Sequence, residues 1–274
     1  MSTIAIDMGG TNIRAARIED GKVISQQAVS CHATGSEDEV MNQIIQLIES
    51  VNASDVTKIG IGVPSVVDSR KGIVYDLQNI PSWKEVHVKE TLEKHFGLET
   101  LVDNDVNCFA LGEKHFGAGK PYENIVAITL GTGVGAGIII DGKIYGGSNT
   151  GAGEIGCLPW RDADYEHYCS SHFFNDHATE GAVENEKAMR GDASALALWS
   201  EFGANVGKLL QVILFAYDPE AIIIGGGIAS SAQFFSASML LSMKDGFPYQ
   251  HEVERVKVIF STLKHGNLLG ASVL

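Results

Sequence analysis

Asp103-Asn104-Asp105-Val106-Asn107 gathers carboxylates and amides directly after the strand-like Thr100-Leu101-Val102. Polar residues at a strand's end, just before a helix, belong in a cleft mouth. A carboxylate there can accept a proton from a hydroxyl as it attacks phosphorus, and a neighbouring amide can hold the adjacent hydroxyl. Asp105 is the candidate base on this reading. Helix capping by Asp103 or Asn104 is the plainer alternative for the same residues.

Two glycine-rich turns could receive phosphate. The first is Asp7-Met8-Gly9-Gly10-Thr11-Asn12-Ile13-Arg14 and the second is Gly131-Thr132-Gly133-Val134-Gly135. Glycines at a strand's end let backbone N–H groups approach phosphate oxygens with no Cβ in the way. A threonine hydroxyl adds a donor, and an acid such as Asp7 can orient hydrated Mg²⁺. A tight hairpin without a ligand explains one such turn. The second turn argues for a pair that grips the β- and γ-phosphates of a nucleotide from both sides. Gly225-Gly226-Gly227 follows a buried strand and permits close approach of a flat ring or a ribose, although glycine-rich strand–helix turns are common. Gly153-Glu154-Ile155-Gly156 offers a second acid that could grip hydroxyls or simply lie in solvent. The P-loop pattern and a GxGxxG after the first strand are both absent, which argues against those folds.

The elements that must position these residues are repeated. Ile4 to Ile24 and Val126 to Tyr145 each run from an apolar stretch through a Gly/Thr-rich turn into a second apolar stretch. Each then turns at an identical Asp-Gly-Lys, Asp20-Gly21-Lys22 and Asp141-Gly142-Lys143. Asp-Gly between β-rich runs signals a tight hairpin whose central residues need positive φ. An amphipathic helix (Val40, Ile44, Ile45, Ile48) and a strand, Lys58 to Val63, follow the first unit. A long insertion follows the second, then a helix with Trp199, Phe202, Val206, Leu210 and Ile213 on one face, ending before Asp218-Pro219, and a buried strand, Ala221 to Ile224. The expected fold is α/β, two similar lobes facing each other across a central cleft. The expected division is a smaller lobe, residues 1–112, completed by the C-terminal helix, and a larger lobe, residues 113–274.

Composition narrows the classes. The 274 residues are 45% hydrophobic and 20% charged, an ordinary globular balance. Net charge is −14, which disfavours a nucleic-acid surface. Met1 leads almost directly into strand-like Ile4-Ala5-Ile6, so no secretory leader is expected. The apolar stretch Ile125 to Ile140 is shorter than the roughly 20 residues of a membrane span and reads as buried strands. No membrane partner is expected from so short a stretch. Cys31, Cys108, Cys157 and Cys169 are scattered, so a disulfide framework is not expected, and the cytoplasm is the default location.

Together the motifs resemble the ROK family (repressor, open reading frame, kinase), within the sugar kinase, actin and heat-shock chaperone ATPase superfamily. The matching stretches are DMGGTNIR, GIGVPSVVD (60–68), NIPSW (79–83), DNDVN followed by ALGE (110–113), LGTGVGAG, GAGEIG and DPEAIIIGGG, in family order across nearly the whole chain. The resemblance implies a duplicated ribonuclease H-like (actin-like ATPase) fold, ATP with Mg²⁺ as donor, a hexose or amino sugar as acceptor, and a homodimer. It maps the base onto Asp105 and sugar contacts onto Asn79, Asn104, Glu154 and, in a later acid position, Asp176. It maps phosphate contacts onto Gly9, Gly10, Thr11, Thr132 and Gly133, adenosine onto Gly226 and Gly227, and Mg²⁺ orientation onto Asp7.

The sequence also departs from that family. Cys157 stands where the family has a zinc-binding, sugar-contacting histidine after GEIG, and the family's cysteine cluster falls on His167, Cys169 and Phe174. Cys157, His167, Cys169 and His172 are suitable ligand types for zinc, but their spacing is irregular. We therefore expect no stoichiometric metal there and a loop folded through Tyr165, Tyr168, Phe173 and Phe174. Ser65 and Ser82 replace family glycines. The function expected is ATP-dependent phosphorylation of a hexose-like hydroxyl, with a non-catalytic sugar sensor or regulator as the alternative. The repressors of the family carry an added N-terminal helix-turn-helix domain, and three residues precede the first strand-like run here.

Overall fold

A computed structural model describes every residue except Gly10 and Asn149. The chain forms two compact units, residues 1–120, 144–152 and 263–274 in the first and residues 121–143 and 153–262 in the second. In chain order the elements begin with β1 (Ser2–Met8), β2 (Asn12–Glu19), β3 (Lys22–Ser30), α1 (Glu37–Val51) and β4 (Val56–Val63). A small antiparallel sheet follows, β5 (Val66–Asp68), β6 (Ile73–Tyr75) and β7 (Glu85–His87), then α2 (Val88–Phe96), β8 (Glu99–Asn104) and α3 (Asp105–Phe116). Residue 112, where the sequence suggests a boundary, lies inside α3.

The second series is β9 (Ile125–Leu130), β10 (Val134–Ile140) and β11 (Lys143–Ile144), followed by the short pair β12 (Pro159–Trp160) and β13 (Ala163–Asp164). Helices α4 (Tyr165–Cys169), α5 (Ser171–Asp176), α6 (Gly181–Met189) and α7 (Ala193–Tyr217) come next. The chain ends with β14 (Ala221–Gly225), α8 (Ala232–Lys244), α9 (Gln250–Arg255), β15 (Lys257–Phe260) and α10 (Gly266–Ala271).

The repeat read in the sequence is a repeat of sheet topology. The two large sheets run β3-β2-β1-β4-β8 and β11-β10-β9-β14-β15. In each, the first strand pairs antiparallel with the second and parallel with the strand that returns after a helix. Both Asp-Gly hairpins have the backbone their residues imply, with φ of 48° and 70° at Asp20-Gly21 and 51° and 73° at Asp141-Gly142. The stretch 125–140 forms β9, β10 and their turn. Among the described residues no helix is long and apolar enough to cross a membrane.

Capping fixes α1. Ser36 Oγ accepts from the Glu39 N–H at 3.2 Å while the Glu39 carboxylate accepts from the Ser36 N–H at 2.7 Å. Its buried stripe of Val40, Ile44 and Ile48 packs on Ile4, Ile6, Ile59 and Ile61 of the first sheet. The opposite face, Ala5, Ala16 and Ile18, packs on Cys108 of α3 and Leu268 and Ala271 of α10. Glycines bring these backbones together. A Cβ on Gly270 would stand 1.6 Å from the Cys108 carbonyl oxygen, and one on Gly60 would stand 1.8 Å from the Ala271 oxygen.

The second unit is built on α7. Trp199, Phe202, Val206, Leu210 and Ile213 are all fully buried, as the helical spacing implies. The helix stops at Asp218, whose φ of 42° precedes Pro219 and whose N–H returns to the Leu214 oxygen at 3.1 Å.

Candidate functional site

The acid-rich segment sits at the junction of β8 and α3 in the first unit. Asn104 is the N-cap of α3, and its Oδ1 accepts from the N–H groups of Val106 (2.8 Å) and Asn107 (3.3 Å). Its Nδ2 donates to the Ser65 oxygen at 3.2 Å. That acceptor is the backbone carbonyl; what the serine adds over a glycine is its Oγ, which donates to the Tyr75 oxygen at 2.6 Å. Asp105 is the first residue of α3, set over β4 by Gly62, where a Cβ would lie 3.3 Å from the Asp105 Cα. Asp103 is buried and accepts from the Asn104 N–H (2.7 Å) and Asn107 Nδ2 (2.8 Å). Burial pushes its carboxyl above the usual carboxylate range, and those two bonds act against the shift.

Asp7 belongs to the same neighbourhood. Burial raises the Cys108 thiol well above its ordinary value, and the charges of Asp103, Asp105 and Asp7 raise it further, so all three carboxylates lie within electrostatic reach of one sulfur. Arg14 forms a hydrogen-bonded ion pair with Asp7, and Asn267 of α10 donates to Asp7 Oδ1 at 3.3 Å. The buried, doubly held carboxylate suits an outer-sphere hold on a hydrated cation. In the adjoining turn the Gly9 N–H donates to the Asn12 oxygen at 2.8 Å, and Thr11 is exposed. Gly10, the third candidate there, lies outside the described residues. A cavity of about 430 Å³ is lined by Asp103, Asn104, Asn107, Tyr75, Arg70 and Thr150 among others. Asn79 is not among its lining and stands exposed on the turn between buried Leu77 and Ile80.

In the second unit the turn between β9 and β10 holds Gly131, Thr132 and Gly133. The Ser171 N–H donates to the Gly131 oxygen at 2.8 Å, and Ser171 Oγ to the Thr132 oxygen at 3.3 Å. Glu166 of α4 accepts from the Val134 N–H at 3.0 Å. Gly226, with φ of 89°, lies so close to Leu130 that a Cβ would meet its backbone at 2.3 Å. Gly131 and Gly227 differ, because a Cβ on either would point into open space. Both therefore keep a surface clear that no protein atom fills, as a nucleotide site requires. We expect Gly131→Val and Gly227→Val to leave the melting temperature within about 2 °C of wild type and to weaken nucleotide binding about tenfold or more, measured calorimetrically.

Glu154 follows Gly153, whose φ of 103° and approach to the Ala136 oxygen exclude a side chain. Partial desolvation raises the Glu154 carboxyl above its usual range, and the Glu166 carboxylate adds to the shift. Asp176, at the end of α5, is exposed and hydrogen-bonded to His167 Nε2 at 2.5 Å. The resemblance implies zinc in this loop, and the residues do not fit it. Cys169 is wholly buried, with its thiol pushed far up by burial, and Cys157 is exposed. Phe174 packs against Trp199 (4.7 Å between ring centroids) and Phe202 (5.3 Å). Among the described residues no group of three His, Cys, Asp or Glu side chains is arranged to hold a metal. Stacked Trp160 and Tyr165, with Phe173 and Phe174, give the loop an apolar core instead. Chelator treatment is expected to leave the melting temperature unchanged, with well under one zinc per chain by elemental analysis.

Several contributors escape a sequence reading. Arg14 and Asn107 stand inside quoted motifs without an assigned role, so their motifs could have flagged them. Asn267 meets Asp7 from 260 positions away, and Glu166 and Ser171 reach the turn after β9 from the insertion; no local signal marks them.

The ROK family model matches residues 3–274. The chain is 28% identical over 269 residues to a glucokinase of Thermotoga maritima, covering 85% of this chain and 84% of that protein. Its structure resembles that of a ROK family glucokinase from Streptomyces griseus in complex with glucose and AMPPNP (TM-score 0.84, 26% identity, 100% and 98% of the two chains). It also shares its fold with a ROK family transcriptional regulator, a homologue of the E. coli MLC protein (TM-score 0.89, 23% identity), and covers 99% of this chain but 77% of that longer one.

Proposed function

The chain belongs to the ROK family, with the α/β actin-like ATPase fold of its sugar kinases, and from that premise we propose that it phosphorylates a hexose or amino-sugar hydroxyl with ATP. Two features support a catalyst over a sensor: Asp105 at the head of α3, and the open glycine turn at Gly131. A sensor needs neither. Asp105 is the single observation that carries the proposal, because a carboxylate set beside an amide-bearing N-cap has the chemistry of a base for a sugar hydroxyl.

Asp105 takes the proton released as the acceptor oxygen attacks the terminal phosphorus of the donor. Asn104 orients a neighbouring hydroxyl through the amide hydrogen left after its bond to Ser65, with Asn79, Glu154 and Asp176 as further sugar contacts. Gly9, Gly10, Thr11, Thr132 and Gly133 receive donor phosphates on backbone N–H groups and hydroxyls, and Gly227 leaves room for adenosine beside Gly226, which packs on Leu130. Asp7 would orient hydrated Mg²⁺, which would offset phosphate charge when bound. A homodimer in the cytoplasm, acting on small molecules and not on nucleic acid or membrane, completes the proposal.

The test is a coupled ADP-release assay over glucose, mannose, fructose, allose, N-acetylmannosamine and N-acetylglucosamine. Saturable, sugar-dependent ADP release is expected with at least one of them. Sugar binding by calorimetry without ADP release from any would favour the sensor.

A further inference from the structure

The donor turn of the second unit already carries a negative charge. Glu166 Oε2 accepts from the Val134 N–H at 3.0 Å, and the same oxygen would lie 2.4 Å from a Cβ on Gly133. The side chain is seated between two motifs, because its Cβ would stand 3.4 Å from one on Gly156 in the segment that carries Glu154. The Glu154 carboxylate is a neighbour of like charge within electrostatic reach of Glu166. The exposed Cys157 thiol is pushed up by burial and then by Glu154, Glu166 and Asp164 together. A phosphate arriving at Thr132 and Gly133 therefore meets backbone donors and a fixed carboxylate at once.

We infer that Glu166 makes this turn selective for donors whose phosphate charge is offset by a divalent cation. Building on the kinase proposal, it names the discriminating residue on the donor side. Backbone N–H groups attract any anion. A carboxylate a few ångströms away repels bare phosphate by an amount that depends on the charge remaining on it. A magnesium-bound nucleotide has part of that charge offset by the cation; metal-free inorganic polyphosphate keeps all of it. Glu166 acts on the donor's charge, and the hydrogen bond to Val134 holds it in place to do so.

Calorimetric titration of the full chain with two probes tests this: inorganic tripolyphosphate in the presence of EDTA, and AMPPNP with excess Mg²⁺. Glu166→Gln keeps the shape and an acceptor for the Val134 N–H, so it removes charge alone. It is expected to tighten metal-free tripolyphosphate binding about tenfold and to change magnesium-AMPPNP binding less than about threefold. Glu166→Ala, which also lacks the charge, should show the same preference even if the turn loosens. Unchanged tripolyphosphate affinity in both variants, in protein that still phosphorylates sugar, would overturn the inference and leave the kinase proposal standing. Equal gains for both probes would overturn it too, since discrimination is its content. A wild-type chain that binds neither probe would remove the donor turn itself, and the kinase proposal with it.

Discussion

Asp105→Asn is expected to lower kcat by about 10²–10⁴ and to leave sugar affinity within a few fold. The substitution is nearly isosteric, and residue 105 is not the cap of α3. Asn104 holds that position through its own bonds to Val106 and Asn107. The helix should therefore keep its start, and the circular dichroism and melting temperature should stay near wild type. What is lost is the carboxylate that accepts the hydroxyl proton. Kinetics in saturating sugar and ATP check the first part, and sugar calorimetry checks the second. A variant that turns over near the wild-type rate would remove Asp105 as base; a variant that loses sugar binding but keeps kcat would make it a binding group.

Gly270→Ala is expected to destabilise the chain by about 3 kcal/mol or more, at the upper end of overpacking costs. Its new Cβ would lie 1.6 Å from the Cys108 oxygen and 2.8 Å from the Gly112 nitrogen, both backbone atoms of α3 that cannot swing aside. The clash separates α10 from α3 and draws Asn267 off Asp7, so nucleotide affinity should fall along with stability. Gly151→Ala, where a Cβ meets nothing within 4 Å, is the matched control and should stay within about 0.5 kcal/mol. Urea unfolding of both variants makes the comparison.

Much of the fold could be read because its signals are local. The Asp-Gly pairs demanded positive φ and have it, the apolar stripe of α7 is buried at every named position, and Pro219 marks the end of that helix. The small sheet β5–β7 went unread because its strands have three residues each, too few for alternation to register. At the site, residue types were legible and partners were not. DNDVN could be read as base or cap, and the structure gives the cap to Asn104 while Asp105 takes the next position. The ion pair of Asp7 with Arg14 spans a hairpin, and the bond to Asn267 depends on α10 closing over the first sheet. The altered loop shows the same limit. Its irregular Cys and His spacing said that zinc fits poorly, but only packing shows Phe174 seated against Trp199 and Phe202.

Phosphoryl transfer itself is measured most directly by incubating the chain with γ-labelled ATP and the acceptor that scores best in the sugar panel, then separating sugar phosphate from orthophosphate. The expected result is label in a sugar monophosphate, matched by ADP, with Asp105→Asn reduced by at least about a hundredfold. Label found only in orthophosphate at a rate indifferent to sugar, or no transfer from a chain that binds the sugar, would contradict sugar phosphorylation by Asp105.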